Sequence, residues 1–289
     1  MHTAPLTCLF DFEHTNDKTR PYVMQEFAVN GVTNLVLTDT LISEIMKSPG
    51  FAKKLRDDLK NTGTRFVDAH APFGVNEDLN VPIAEQRPIM LERLKLALRI
   101  TADFGVDSIA VHVGNTPETF AAYSLDDLHA AIIRSLEELL PLAARLGVTI
   151  AIENIWFPTS TPEKLLDIIA HFRSEHLGIC FDAGHANLMA VDRHFEVSAA
   201  INGWKRFGAV PYDDQILEKL LPEITTCHLH DNDGQNDQHL LPGRGTIDWQ
   251  HCMALLKQAP RIKCFQSEVI PVRTNSSIAD VCRTFLAMV

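Results

Sequence analysis

The chain has 289 residues, 46% hydrophobic and 22% charged, the composition of a globular protein able to bury a large core without disulfide or metal staples. Lys and Arg number 26 against 37 Asp and Glu, a net charge of -11, and the densest basic run, Lys53-Lys54-Leu55-Arg56, is broken by Asp57 and Asp58, which disfavours a generic nucleic-acid or anionic-membrane binder. No stretch approaches the ~18 apolar residues of a membrane span, and residues 1–13 lack the basic-then-apolar pattern of a secretion signal, so no membrane partner and a cytoplasmic location are expected.

Short β-rich apolar runs fall at residues 6–12, 33–37, 65–69, 108–113, 149–153, 177–181, 225–229 and 263–269. Helical periodicity separates them. It is clearest at 88–104, with Ile89, Leu91, Leu94, Leu98 and Ile100 on its apolar positions, and at 125–146. Gly105 and Gly147 stand where C-terminal caps belong, each directly ahead of the next strand. Thr161-Pro162-Glu163 supplies a cap, an N1 proline and a first-turn acid for a helix over 165–172. The longest interval, 191–222, carries Trp204, Phe207 and Tyr212 in an expected extra helix, a lid, a surface insertion or a dimer contact. Asp248 caps a helix over 249–257.

Strands alternating with helices imply a parallel sheet covered by helices, and eight repeats favour a closed (β/α)8 TIM barrel over a doubly wound sheet. No glycine-rich phosphate loop follows the first strand, and no linker or repeat divides the chain, so residues 1–289 are read as one barrel domain. The cysteines, Cys8, Cys180, Cys227, Cys252, Cys264 and Cys282, form no CxxC pair and are expected to be reduced and buried.

Nearly every apolar run ends in a residue that binds metal or moves a proton: His70, His112, Glu153, Asp182, His228 and Glu268. Any one of them alone reads equally well as a rim hydrogen-bonder or a helix cap. Spaced by roughly one βα unit each, they gather at the C-terminal mouth of a barrel, where carboxylates crowded with imidazoles repel or protonate unless a cation joins them. The mixed oxygen and nitrogen donors suit Zn, Mn or Co rather than Ca. Two neighbouring segments add donors. Asp182-Ala183-Gly184-His185 places a second imidazole one turn beyond the carboxylate, and His228-Leu229-His230-Asp231 sets two imidazoles on one strand face. The long polar loop over 232–247 contains Asp237-Gln238-His239 and Pro242-Gly243-Arg244-Gly245, and loops of this length are usually functional or disordered.

Together, His70-Ala71-Pro72, His112-Val113-Gly114, Ile152-Glu153-Asn154, Phe181-Asp182-Ala183-Gly184-His185, the block 228–248 and Ser267-Glu268 resemble the xylose-isomerase-like TIM-barrel superfamily. That superfamily holds sugar isomerases, ketose 3-epimerases, inosose isomerases and dehydratases, and the endonuclease IV branch. The block from His228 to Gly245 resembles the sugar phosphate isomerase/epimerase group. The resemblance implies a divalent metal held by Glu153, Asp182, His228 and Glu268, with Glu153 and Glu268 also acting as acid and base and His185 touching substrate oxygens. It equally implies, for the endonuclease branch with its three zinc ions, a second site at His70 and His112 bridged by Glu153 and a third at His185, Asp237 and His239. The start of the chain, Phe10-Asp11-Phe12-Glu13-His14, and the absence of basic DNA-engaging loops depart from that branch.

The expected function is a metal-dependent isomerase or epimerase of a small sugar or polyol-derived ketone, working through proton transfer and a metal-stabilised enediolate. A three-metal phosphodiester hydrolase and an inosose-type dehydratase stand as alternatives. His185, His230 and His239 are expected to hydrogen-bond substrate hydroxyls. Trp156, with Phe157 and Phe73, is expected to form an apolar wall or simply to pack loop on barrel, and Arg244 and Arg273 are candidate partners for an anionic substrate group. The oligomeric state stays open, a homo-oligomer included.

Overall fold

The structure, a computed structural model, describes residues 4–11, 15–193 and 203–289. Its strands are β1 (Leu6–Cys8), β2 (Asn34–Leu37), β3 (Arg65–Ala69), β4 (Ser108–Val111), β5 (Thr149–Glu153), β6 (Leu177–Asp182), β7 (Ile224–Leu229) and β8 (Phe265–Ser267). They form one parallel eight-stranded sheet in the order β3-β2-β1-β8-β7-β6-β5-β4. The two ends of that order meet through a parallel bridge between His70 and Ala110, with the Ala71 N–H donating to Ala110 O at 2.9 Å, so the sheet closes into the expected TIM barrel. No helix among the described residues is long and apolar enough to cross a membrane.

The strands β3 and β5 match the sequence reading to the residue, but the first and last are much shorter than the runs 6–12 and 263–269. In-register pairing of β1 with β8 lasts only from Leu6↔Phe265 to Cys8↔Ser267, after which each chain peels outward to build the mouth. Residues 12–14, including Phe12, Glu13 and His14 of the N-terminal motif, lie outside the described residues. The expected helices are present as Arg87–Asp103, Leu125–Leu146, Pro162–Phe172 and Trp249–Leu256. Thr161 and Asp248 accept the cap hydrogen bonds from Lys164 N and His251 N, and Gly147 takes the left-handed C-cap conformation at φ 70°. The interval 191–222 is not one extra helix. Residues 194–202 lie outside the described residues, and the described remainder holds the short helix Ile216–Leu220 and a buried Trp204, whose indole N–H donates to Trp156 O at 2.8 Å.

Outward-facing strand residues such as Leu35, Ile109, Ile152 and Ile179 are buried under helix residues such as Leu98, Leu136, Ile168 and Phe285. That annulus is the hydrophobic core. The barrel's inside is different. Ala110, Ala151 and Cys180 form a separate buried cluster there, and around them sit small or polar side chains rather than the bulky branched layers usual for the fold. Asp68 on β3, fully buried, ties the interior together. It accepts from Ser108 Oγ on β4 at 2.6 Å, from Thr226 Oγ1 on β7, and from Cys264 Sγ on β8 at 3.3 Å. All six cysteines are buried and free of disulfides.

Replacing Asp68 by Ala removes the carboxylate acceptor of two buried hydroxyls, leaving Thr226 only the Cys264 thiol, and is expected to cost about 2–4 kcal/mol of stability, with Asp68→Asn costing less because an acceptor remains. Urea unfolding of both variants checks this; an Asp68→Ala protein as stable as the parent means that the carboxylate does not brace the barrel.

Candidate metal centre

Period two along the strands places the functional side chains. Glu153 and Asp182 are the last residues of β5 and β6, His228 is the penultimate residue of β7, and Glu268 follows β8 directly. His70 and His112 follow β3 and β4, and the bridge that closes the barrel lies between His70 and Ala110, two residues before His112. His185 stands on the short helix Ala183–Leu188, capped by Asp182, whose Oδ1 accepts from His185 N at 2.6 Å. Asp182 therefore both caps a helix and turns its other oxygen to the mouth.

Nδ1 of His228 lies 3.5 Å from Glu153 Oε1, 3.7 Å from Asp182 Oδ2 and 3.5 Å from Glu268 Oε1. These separations are long for hydrogen bonds, but they match the edges of a coordination polyhedron, since donors ~2.1 Å from a cation stand roughly 3.4 Å apart in a tetrahedron. Both ring nitrogens of His228 and Oε2 of Glu153 are buried without a hydrogen-bond partner. Leaving such groups bare is costly, and a divalent cation between the three carboxylates would satisfy Nδ1 of His228, the nitrogen that faces them. The donor set fits.

Two further groups adjoin this one. His70 Nε2 and His112 Nε2 both face Glu153 Oε2, at 3.5 and 3.3 Å. On the other side, His185 Nε2 and His239 Nε2 face Asp237 Oδ2 at 3.8 and 3.2 Å. His230 sits between the groups, with Nε2 3.2 Å from Asp182 Oδ2 and 3.7 Å from Asp237 Oδ1, its ring stacked on His239 at 3.9 Å. Gly184 makes room for it, because a Cβ there would strike the His230 ring.

The imidazoles are held in definite tautomers. Nδ1 of His70 is 2.8 Å from Ala71 O, that of His185 is 3.0 Å from Asn154 O, and that of His239 is 2.7 Å from Glu268 O. A carbonyl can only accept, so in each ring Nδ1 carries the proton and Nε2 offers its lone pair to the mouth. Nδ1 of His185 is also 3.1 Å from Glu153 Oε1, another acceptor, which leaves that assignment unchanged.

Burial alone would raise the Glu153 carboxyl, but the imidazoles of His228 and His112 outweigh it and hold the group well below the usual carboxylate range. Asp237 is likewise held well below that range, burial being overcome by His185 and His239. Reciprocally, burial opposes charge on His228, yet Glu268 and Glu153 push it up to about 10; His239 is pushed up to about 9, Asp237 and Glu268 prevailing over burial.

The structure thus gathers Glu153, Asp182, His228, Glu268, His70, His112, His185, His230, Asp237 and His239 around one mouth. Trp156 joins their edge, its ring 4.6 Å from that of His185, and the half-exposed Phe73 lies 4.4 Å from His112. Arg244 is not brought in; it is exposed, and its Nη1 donates to Thr274 O at 3.1 Å and Ser276 Oγ at 3.0 Å. Sequence reasoning gave no role to Asn154, which clasps the Asp182 peptide from both sides at 2.8 and 3.0 Å, although it stands in the quoted Ile152-Glu153-Asn154. It also missed Asp231, whose Oδ2 accepts from Gly243 N, Gly245 N and Trp249 Nε1 at 2.8, 3.0 and 2.9 Å. The glycines of the loop that Asp231 gathers are its visible signal.

The sequence matches the family model described as xylose isomerase-like TIM barrel over residues 33–267. An uncharacterized protein of Methanocaldococcus jannaschii is 28% identical over 231 residues, 77% of this chain and 71% of the relative. Among solved structures, the chain is similar to a D-tagatose 3-epimerase-like protein, with TM-score 0.72 and 23% identity over 98% of this chain and 96% of the other. It is similar also to the IOLI protein with a bound zinc atom, with TM-score 0.72 and 16% identity over the same shares, 98% and 96%.

Protons and cations compete for this centre. Loading the metal-free protein between pH 7 and 9 is expected to release protons, because the donor nitrogens of His228 and His239 hold theirs up to about 10 and about 9, so affinity rises with pH through that window. The sign for stability is opposite: these raised values, against about 6.5 in an unfolded chain, stabilise the metal-free fold at low pH, and that contribution is lost as pH climbs through them. Calorimetric titration in buffers of different ionisation enthalpy checks the release, and a binding heat independent of buffer would rule it out.

Proposed function

As a member of the xylose isomerase-like TIM-barrel family, the chain carries a mouth that, we propose, makes it a divalent-metal-dependent isomerase or epimerase of a small sugar or polyol-derived ketone. The observation that carries this reading is the meeting of Glu153, Asp182, Glu268 and the unpartnered Nδ1 of His228 at one centre, from four consecutive strands of the barrel. Glu153 on β5 and Glu268 after β8 stand at the two ends of that arc, flanking whatever the centre holds. The likeness to proteins named for epimerase activity and for bound zinc supports the same class.

When bound there, a divalent cation supplies Lewis-acid polarisation of a substrate carbonyl and its neighbouring hydroxyl. The chain's own residues move the proton. Glu268, the more open of the two glutamates, takes a proton from the carbon beside the carbonyl and gives it up to solvent. Glu153, held ionised, takes a proton from the protonated imidazole of His185, 3.1 Å from its Oε1, and returns it to the substrate from the opposite side. Return to the same carbon inverts its configuration through an enediolate; return to the neighbouring carbon moves the carbonyl. His185, His230 and His239 orient hydroxyls, and Trp156 with Phe73 bounds the apolar edge of the substrate. Zn, Mn and Co suit the donors.

A second reading has its own support. The pair His70 and His112 on Glu153 Oε2, and the pair His185 and His239 on Asp237, offer donors for two more cations, as a three-metal phosphodiester hydrolase requires.

Incubation of the metal-loaded protein with a panel of ketoses in heavy water separates the two. Deuterium is expected at the carbon beside the carbonyl of the accepted sugar, with the exchange rate lowered about 10²–10⁴-fold in Glu268→Gln and Glu153→Gln at matched metal content. No incorporation from any ketose, together with three metals per chain and nicking of an abasic-site duplex, would replace the isomerase by the hydrolase.

A further inference from the structure

Below the donors, β8 alternates along the barrel's inner face. Cys264 reaches Asp68 in the interior at 3.3 Å, and Glu268 reaches His228 at the mouth at 3.5 Å, so Gln266, midway between them, also points inward. It is in register with His228 on β7 and with Thr7 on β1. Neighbours in register on parallel strands share a face, which places these three side chains in one layer under the centre.

That layer is buried and bare. Gln266 has no exposed surface, and neither its Oε1 nor its Nε2 has a hydrogen-bond partner; the same holds for Thr7 Oγ1 and for Nε2 of His228. Burying an amide without a partner is costly, so its presence here calls for a role. His228 supplies one. His70, His185 and His239 fix their tautomers on backbone carbonyls through Nδ1 and present Nε2. His228 is turned the other way, with Nδ1 toward Glu153, Asp182 and Glu268 and Nε2 toward the barrel, where no carbonyl meets it. A ligating imidazole needs an acceptor for its second N–H to keep the ligating nitrogen unprotonated.

We propose that Gln266 is the positioning residue for His228, its Oε1 accepting the Nε2–H through an ordered water shared with Thr7. None of these four polar atoms has a hydrogen-bond partner in the protein, and a polar interior offering two to four partners is where buried water settles. The amide suits the task because it accepts with one end while its –NH2 donates to water, satisfying the layer without adding a charge beneath the donors. The inference rests on the reading of the centre as a cation site.

The test compares the parent with Gln266→Met, which keeps length and removes both polar atoms, and Gln266→Glu, which keeps an acceptor. Competition with a chromogenic chelator for Co²⁺ is expected to show affinity lowered about 10–100-fold in Gln266→Met and retained in Gln266→Glu. Thermal unfolding of the metal-free Met variant is expected within a few degrees of the parent's, since the side chain keeps its length and fills the same space, so a loss of Co²⁺ affinity is not a loss of fold. In the Zn²⁺-loaded parent, ¹⁵N spectra should show His228 as the Nε2–H tautomer with a slowly exchanging proton, and that proton should exchange rapidly in Gln266→Met. Equal Co²⁺ affinity in parent and Met variant, or an unchanged Nε2–H signal, overturns this inference alone. A parent that takes up no divalent ion overturns the cation reading and this inference with it.

Discussion

Charge compensation in a buried mouth is the constraint on which the remaining architecture depends. Four carboxylates, Glu153, Asp182, Asp237 and Glu268, share a small volume with six imidazoles, and none of the carboxylates can stay ionised there without positive partners. Contrast with the surface makes the design visible. His129 closes on Asp167 to 2.8 Å and His251 on Glu218 to 3.0 Å, ordinary hydrogen-bond distances. In the mouth, His228 stands 3.5–3.7 Å from Glu153, Asp182 and Glu268, and His70 and His112 stand 3.5 and 3.3 Å from the other oxygen of Glu153. These groups attract one another yet do not collapse. Asp182 is restrained by its cap bond to His185 N and by Asn154, and His70, His185 and His239 are restrained by backbone carbonyls. A cage held open by its own scaffold is preorganised for something placed between the donors.

The sequence revealed as much of this as its periodicities could carry. Strand-end residues such as Glu153, Asp182 and His228 were legible because the barrel converts a repeat spacing into a shared rim, and His228 and His230 because period two sets them on one face. The ends of β1 and β8 were not, since apolar runs continue past the point at which in-register pairing stops. Arg244 looked available to an anion because sequence does not show that Thr274 and Ser276 already engage it. Asp68, Asn154 and Gln266 carried no signal of their kind of work, since each acts through neighbours on other strands that only the closed barrel brings together, whereas Asp231 was signalled only by the glycines of the loop it gathers. The expected extra helix in 191–222 is found only in part among the described residues: Trp204 is helical and anchors on the Trp156 carbonyl, but Phe207 and Tyr212 lie in turns and loop.

The polar mouth continues into the barrel rather than ending at the donors. Where bulky branched residues usually fill the interior, this chain has Ala110, Ala151 and Cys180, with Asp68 linking β3, β4, β7 and β8 below them. Small side chains leave space that an all-apolar packing would close, and Asp68 recovers in hydrogen bonds what the interior lacks in dispersion contacts. Stability is then supplied mainly by the annulus between strands and helices, and the axis of the barrel is released to orient the centre from beneath.

The same logic decides where substrate discrimination resides. Asp231 binds three N–H donors of the 243–249 segment through one oxygen, His230 stacks on His239, and Gly184 admits no side chain against His230. Gly184, His230, Asp231, His239 and the 243–249 segment therefore form one interlocked block, and a change there would disturb the donors themselves. Phe73 and Trp156 are bound by no such network of side-chain hydrogen bonds: Phe73 is half exposed over His112, and Trp156 meets His185 edge-on. On the proposed reading, variation at these two positions would alter the shape offered to a ligand while leaving the donor geometry intact, so the aromatic rim, rather than the carboxylate and imidazole set, would set what the mouth accepts.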